Sequence, residues 1–504
     1  MHFSWTNQPI RTEAPDFDNF YSGISPSSNL TSSSSELDIF ETFVDEGLLE
    51  KVVSHINLYH RHFILNTDLR THSRLHAWKD VTVQEMYVFL AITMLMTRNR
   101  RLTIEEHWST NPFLNSSIYK TLMSRNRYTM ILGMLHFSRP GTRQPDDPIL
   151  SKINLVIDDA RTKFQNLFIP NQKLCVDESI VPFKGRLIIK QYLPNKRNRF
   201  GIKLFVFCDV DTKIILDFII YCGAETEIIR HRDIGMSGSV ILTFLERYYF
   251  TNRIIYMDNW YSSPKLFDFL ASRGIGACGT VKKTRKEMPK FRTSLKKGER
   301  DVKFTSRIMA VKWHDKKDVY ILSTIHKDEM GPSEKMDRST GLPVMKPECV
   351  LDYNKNMGIV DTNDMMLSSL RCIRKVTKWY KKLFFHIIDL HLLNSFHYFK
   401  VLRDDNTSRF EKFQLSVITQ IVLKYCGDRT LPVTARAIDQ PTRLLGNASQ
   451  HMPAFIPNSK KLRCKVCSHL YRRRRETRYL CEICKVPLCV TCFRTYHERR
   501  DLNV

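Results

Sequence analysis

Apolar residues recur at helical spacing through Phe40, Phe43, Val44, Leu48, Val52 and Ile56, the stripe an amphipathic helix needs. Ser35, with Asp38 three residues on, supplies an N-cap signature in front of it. A second helix is predicted from Thr82, where Glu85 completes a capping box, through Met96, and a third over about Asn154–Leu167. Residues 36–170 therefore read as mostly helical. Ahead of them, residues 1–35 carry Pro9, Pro15, Pro26 and the run Thr31–Ser35 without periodicity, so a disordered tail is expected.

Beyond residue 170 the pattern changes. Leu174–Val181, Leu204–Val210, Ile214–Tyr221 and Ile254–Met257 are short runs rich in β-branched and aromatic residues, which predict strands. A helix over about Val240–Tyr249 separates the last two, and another over about Pro264–Arg273 precedes a strand at Ile275–Val281. Strands in succession, then strands alternating with helices, give an α/β class: a mixed sheet with helices packed on it. One further strand is predicted at Val319–Thr324, and helices return at Trp379–Phe399 and Glu411–Tyr425. Pro432, Pro441, Pro453 and Pro457 mark residues 431–460 as a linker.

Charge narrows the function. Lys and Arg total 78 against 52 Asp and Glu, a formal net charge of +26 over 504 residues. Such a surplus calls for a polyanionic partner, because each cation on a phosphate releases counterions. An anionic membrane is the rival. The best apolar run, Met86–Met96, is far shorter than the roughly 20 residues of a span, so no membrane partner is expected, and no signal peptide is expected either. The stretch 282–344 holds 17 Lys and Arg against 9 Asp and Glu.

Four apolar runs end near an aspartate: Asp177, Asp209, Asp258 and Asp361. Asp is a common loop residue, and Asp209, before Val210-Asp211-Thr212-Lys213, reads as part of a hairpin turn. Several carboxylates together also suit phosphodiester transfer, in which two hard cations about 3.5–4 Å apart activate one oxygen and stabilise another. Lys196, Arg197, Arg199 and Lys203, between the first two strands and flanked by Tyr192 and Phe200, form either a solvated loop or a phosphate grip. Trp260 and Tyr261 follow Asp258 directly, as core aromatics or as rings that stack on unpaired bases. Lys282 and Lys283, which open the basic stretch, are further candidate DNA contacts. His326, at a strand end, is open to a structural or an active-site reading.

The strongest isolated motif lies near the C-terminus: Cys464, Cys467, Cys481, Cys484, Cys489, Cys492 and His497, six of the thirteen cysteines in CxxC pairs. Thiolates at that spacing clasp tetrahedral zinc. Seven candidates are one short of two sites, and His469 is the nearest possible eighth. A segment this short has too little core to fold alone, so zinc would supply its stability. Residues 460–504 carry 13 Lys and Arg against 4 Asp and Glu, with Arg472, Arg473, Arg474 and Arg475 in one run.

The blocks LCVDESIVPFKGR, KRNRFGIKLFVFCD, IIYMDNWYSS and DYNKNMGIVDTNDM, with Tyr221-Cys222-Gly223, Cys278-Gly279-Thr280-Val281-Lys282-Lys283, Ser323-Thr324-Ile325-His326 and Val376-Thr377-Lys378-Trp379-Tyr380-Lys381-Lys382, resemble piggyBac-type transposases in order and context, from about residue 36 to 500. The resemblance implies an RNase H-like catalytic core, here 171–281 and 345–370, with Asp177, Asp258 and Asp361 as a catalytic triad holding one or two Mg2+. Asp364 would match an additional important aspartate. It implies a helical dimerisation and DNA-binding domain split into 36–170 and 371–430, an insertion domain at 282–344, and a cross-braced zinc finger at 461–504. In that finger the first and third cysteine pairs would share one ion, and Cys481, Cys484 and His497 would hold the other. The activity implied is cut-and-paste excision through hairpinned ends and insertion at TTAA, by a homodimer acting on double-stranded DNA in the nucleus, with the tail reading the transposon end. Departures are Ile359 for a usual Gly, Met365 for a common Gln and Phe200 for Trp or Tyr; none removes a carboxylate. Two other functions compete: a domesticated, non-catalytic DNA- or chromatin-binding derivative, and a RING-like ubiquitin ligase tail, which the dense positive charge disfavours.

Overall fold

The computed structural model describes residues 3–9, 12–142, 144, 147–194, 199–337, 340–372, 378–426, 451–457 and 460–498. They belong to two compact units, Met1–Tyr425 and Cys426–Val504.

The first unit begins with helices set by their caps. Ser35 Oγ accepts from Asp38 N while the Asp38 carboxylate accepts from Ser35 N, the full capping box that opens α1 (Glu36–Phe43). The apolar stripe predicted one helix to Ile56, but the chain breaks at Val44, and Asp45 caps a second helix, α2 (Glu46–Leu65). Side-chain periodicity runs through the break because both helices face the same core. Thr82 caps α3 (Val83–Arg98) as predicted. Then come α4 (Ser117–Leu122), α5 (Arg125–Met134) and α6 (Asn154–Asn166).

The short pair β1 (Gly23–Ile24) and β2 (Phe168–Ile169) precedes a nine-stranded mixed sheet. Its strands are β3 (Lys173–Pro182), β4 (Lys190–Tyr192), β5 (Phe200–Asp209), β6 (Ile215–Ile220), β7 (Ile254–Met257), β8 (Gly276–Thr280), β9 (Arg300–Phe304), β10 (Met309–His314) and β11 (Asp318–Ser323). The order is β4-β5-β3-β7-β8-β11-β10-β9, with β6 also on β5. Only the β3–β7 and β7–β8 pairings are parallel. Helices α7 (Gly235–Leu245) and α8 (Pro264–Ser272) supply the connections that parallel strands require. β5 runs so close to β3 that a Cβ at Gly201 would lie 2.3 Å from Val181 O, which requires glycine there.

Three stretches differ in detail from the sequence expectation. Residues 282–344 hold more than the one strand predicted there: β9, β10 and β11 extend the main sheet through β11–β8 pairing, and a hairpin of β12 (Met330–Met336) and β13 (Pro343–Pro347) follows. Charge hid β9 and β10, because Arg300, Asp301 and Lys303 fill three of the five β9 positions and β10 buries Lys312, which donates to the carbonyls of Arg292 and Thr293. Asp361, expected at the end of an apolar run, lies after α9 (Glu348–Asn356) in the first turn of α10 (Ile359–Leu370). Finally, much of 1–35 is not a loose tail but a strap across the sheet. Thr6 exchanges main-chain hydrogen bonds with Phe304 on β9, Trp5 Nε1 donates to Glu287 O at 3.0 Å, and Gln172 and Asn252 donate to the carbonyls of Pro15 and Asp16. A strap takes its hydrogen bonds from the surface it crosses, so it has no periodicity of its own.

The first unit closes around α11 (Trp379–Arg403), flanked by α12 (Phe410–Cys426). Every residue of α11 from Tyr380 to Phe399 is buried, so this helix is the monomer's own core and not a free dimerisation face. Its polar residues are used internally. Asn394 donates to Ile215 O and accepts from Ile215 N, and Lys381 donates to the carbonyls of Leu132 and Gly133. No helix among the described residues is long and apolar enough to cross a membrane.

Burial, with nearby cations, holds His386 and His397 down to about 3 and lowers His391 as well, whereas burial raises Asp389 to about 7. The folded histidine values lie below the unfolded value near 6.5, so unfolding takes up protons, and this contribution is lost as pH falls through 6.5. The single Asp389 acts in the opposite sense. The urea midpoint should therefore drop between pH 6.5 and 5. His391→Leu, at a site where neither ring nitrogen has a hydrogen-bond partner, should reduce that slope by about one proton, or about 1.4 kcal/mol per pH unit.

Candidate active site and metal-binding tail

β3 lies between β5 and β7. Its register pairs Val176 with Met257 in parallel and Asp177 with Val206 antiparallel. Asp258, one residue beyond Met257, therefore emerges beside Asp177. Alternate residues of a strand share a face, so Cys175, Asp177 and Ser179 of β3 face the same way. α10 packs on that face: Ser179 Oγ donates to Asp364 Oδ1 at 2.6 Å, and Cys175 Sγ reaches Met357 O just ahead of the helix. Asn363 fixes α10 from behind, donating to Lys213 O at 2.9 Å and meeting His397 Nε2 at 3.1 Å. One sheet face thus carries Asp177, with Asp258 at its edge and a helix bearing Asp361 and Asp364 across it.

The opposite face holds a cluster that sequence reasoning missed. Glu178 pairs with Lys203 Nζ at 3.2 Å, and Lys203 sits 4.5 Å from the Trp260 ring centre, with Trp260 stacked on Phe205 at 5.3 Å. Lys203 is therefore on β5 and buried, not on a loop free to grip phosphate, and Trp260 is a packed ring. Glu178 follows a predicted catalytic residue directly; strand alternation, which sends it to the other face, was the available signal. Burial first, then the Glu178 charge, raises the Asp258 carboxyl, while its Oδ1 accepts from Trp260 N at 2.8 Å. Arg285 donates to the carbonyls of Asn259 and Trp260, bracing the loop after Asp258.

Of the other candidates, Arg199, Lys282 and Lys283 are exposed, while Lys196 and Arg197 lie outside the described residues. Asp209 accepts from Asn171 and Thr212 and closes the β5–β6 turn. His326 is tied to Ser323 Oγ at 2.7 Å and Asp352 at 3.2 Å, with Tyr256 donating to the same carboxylate. That network braces β7 and β11 against α9, a structural role.

The second unit contains β14 (Pro453–Phe455), β15 (Leu462–Arg463), α13 (Lys465–His469), β16 (Glu476–Thr477), β17 (Tyr479–Cys481) and α14 (Val490–Glu498). Cys464, Cys467, Cys489 and Cys492 converge in one group, and His451, Cys481, Cys484 and His497 in another, each with ligand atoms within 4.8 Å of one another. Cys467 Sγ lies 3.7 and 3.4 Å from Cys489 and Cys492, and Cys484 Sγ lies 3.4 and 3.7 Å from His451 Nδ1 and His497 Nε2. Tetrahedral zinc implies edges of about 3.8 Å between sulfurs and about 3.6 Å between sulfur and nitrogen, so both groups could hold it. His497 Nδ1 contacts Phe493 O at 2.8 Å, which leaves Nε2 as the ligand atom. The sets interleave along the chain, a cross-brace.

The eighth member is thus His451, not His469, which is exposed on α13. Pairing of β14 with β17 delivers His451 from the expected linker. Its distance upstream of the first cysteine concealed it. Arg472, Arg473, Arg474 and Arg475 are exposed between the first two cysteine pairs.

A family model described as Transposase IS4 matches residues 35–396, which sets the class as a transposase. The chain belongs to the piggyBac-type transposase family. It is 26% identical over 484 residues to human PiggyBac transposable element-derived protein 3, covering 91% of this chain and 76% of that one. To human PiggyBac transposable element-derived protein 2 it is 24% identical over 512 residues, covering 98% and 81%. Its fold is similar to that in a cryo-EM structure of a piggyBac transposase synaptic complex with hairpin DNA, with TM-score 0.69, 22% identity, and coverage of 94% and 99%.

Native mass spectrometry should count two zinc ions per chain. His451→Ala should lower the count to one or weaken the second ion at least ~10-fold, whereas His469→Ala should leave both in place. Equal behaviour of the two variants would remove His451 from the site.

Proposed function

We propose that the chain is a cut-and-paste DNA transposase that cleaves transposon ends through hairpins and joins them to TTAA targets by metal-dependent phosphodiester transfer. The observation that supports this reading is the β3–β7 register, which pairs Val176 with Met257 so that Asp177 and Asp258 are the next residues along the two neighbouring segments, with Asp177 on the side where Ser179 meets Asp364 of α10, the helix whose first turn carries Asp361. Carboxylate oxygens are the donor type that Mg2+ prefers. Burial first and the Glu178 charge second raise the Asp258 carboxyl, and a divalent cation would offset the second.

Asp177, Asp258 and Asp361 would hold one or two Mg2+, which activate the attacking oxygen and stabilise the leaving one. Asp364, held by Ser179 Oγ, orients the helix that presents Asp361. The Trp260 amide aims Asp258. Lys203 neutralises Glu178 across the sheet, which limits the repulsion Asp258 feels. Double-stranded DNA is the partner, supported by the net charge of +26. A homodimer follows from the need to cut two ends together, and a DNA substrate in chromosomes implies the nucleus. The tail, with zinc in both groups, would read the transposon end. The second reading is a non-catalytic DNA- or chromatin-binding derivative; the human relatives are named as transposable element-derived proteins.

Asp177→Asn should reduce cleavage of a transposon end by about 10³-fold or more and leave DNA affinity within about two-fold. Asp211→Asn, at an exposed turn position, is the matched control and should cut normally. Asp209→Asn is unsuitable, because it would unseat the β5–β6 turn. Binding without cleavage by the unmodified chain would establish the non-catalytic reading.

A further inference from the structure

The β4–β5 ribbon carries features that neither the fold nor the catalytic carboxylates use. Tyr192 and Phe200 are directly opposed across it, with ring centres 4.7 Å apart. Both remain exposed, at 54% and 45%, and Ile188, two residues ahead of β4, is exposed at 85%. Lys190 Nζ lies 5.9 Å from the Phe200 ring. From Lys184 to Lys203 the chain has seven Lys or Arg and no Asp or Glu. A single exposed aromatic is ordinary, but an exposed pair in a ribbon of one charge sign fits a polyanion that also offers flat apolar surfaces.

Position adds a second constraint. β3 pairs with β5 without a bulge, so Val206 opposes Asp177 and Phe200 lies six residues along β5 on the same face. At about 3.3 Å per residue this is about 20 Å, the length of about six base pairs at 3.4 Å each. DNA cut at Asp177 and running along the sheet would meet the two rings there.

We propose that the ribbon is a base-contacting element, in which Tyr192 and Phe200 stack on a base step of bound DNA about six base pairs from the scissile phosphate while Lys190 and Arg199 contact its backbone. This rests on the reading of the chain as a DNA transposase. Stacking releases no counterion, whereas a phosphate contact does, so the two roles separate by salt dependence.

The test uses the full chain and a TTAA-containing duplex carrying 2-aminopurine at successive positions. The unmodified chain should raise the fluorescence at one or two positions about six base pairs from the cut, where a stacked ring displaces the neighbouring base. Tyr192→Ala with Phe200→Ala should abolish that rise and weaken binding about ten-fold per ring, at an unchanged salt slope. Phe200→Tyr should retain the signal. Lys190→Ala should reduce the log–log salt slope by about 0.9. If the unmodified chain binds the duplex and the double alanine variant matches it in affinity and fluorescence, the proposal is overturned. A fluorescence rise confined to other positions overturns it too. If the unmodified chain fails to bind duplex DNA at all, the DNA transposase reading falls first and this inference with it.

Discussion

The alignment of β3 between β5 and β7 is the constraint on which the first unit depends. β3 hydrogen-bonds on both edges, parallel to β7 and antiparallel to β5. A slip of one residue would turn Asp177 to the Glu178 side and bring Glu178 under α10, because strand side chains alternate with period two. The alignment is over-determined. Gly201 allows β5 to close on Val181, and Ser179 donates a hydrogen bond to Asp364. Asn363 ties α10 to the β5–β6 turn and to α11 at once. The carboxylate face is therefore held by packing from α10, which is backed in turn by α11, buried from Tyr380 to Phe399.

The two sides of the sheet divide labour between charge signs. One collects acidic oxygens against a helix; the other stores Glu178, Lys203 and Trp260 as a packed ion pair under an aromatic lid. A buried pair of this kind is weak evidence for stability. Its position beside Asp258 gives it an electrostatic role in setting how much negative charge that carboxyl experiences.

Legibility in the sequence followed the range of the interactions. β7 was readable to the residue, and Thr82 and Ser35 announced helix starts, because apolar runs and caps are local signals. Asp361 was read only as the end of an apolar run, and tertiary packing shows that Ile359 and Val360 face inward from a helix. β9 and β10 were lost beneath lysines and arginines. His451 was missed because its partnership with Cys481 is made by strand pairing across a long separation. Family resemblance located the aspartates; physical reading of the residues alone did not single out three of four.

The strap has a consequence in the order of synthesis. Trp5 meets its acceptor 282 residues later in the chain, so at about 5–20 residues per second the strap leaves the ribosome roughly 15–60 s before its dock exists. β9, by contrast, emerges into a cell where its cover is already waiting. The edge strand, the part of a sheet most prone to recruit a neighbouring chain, is thus uncapped only for the time one intramolecular closure takes, and the polypeptide carries its own first chaperone at its leading end.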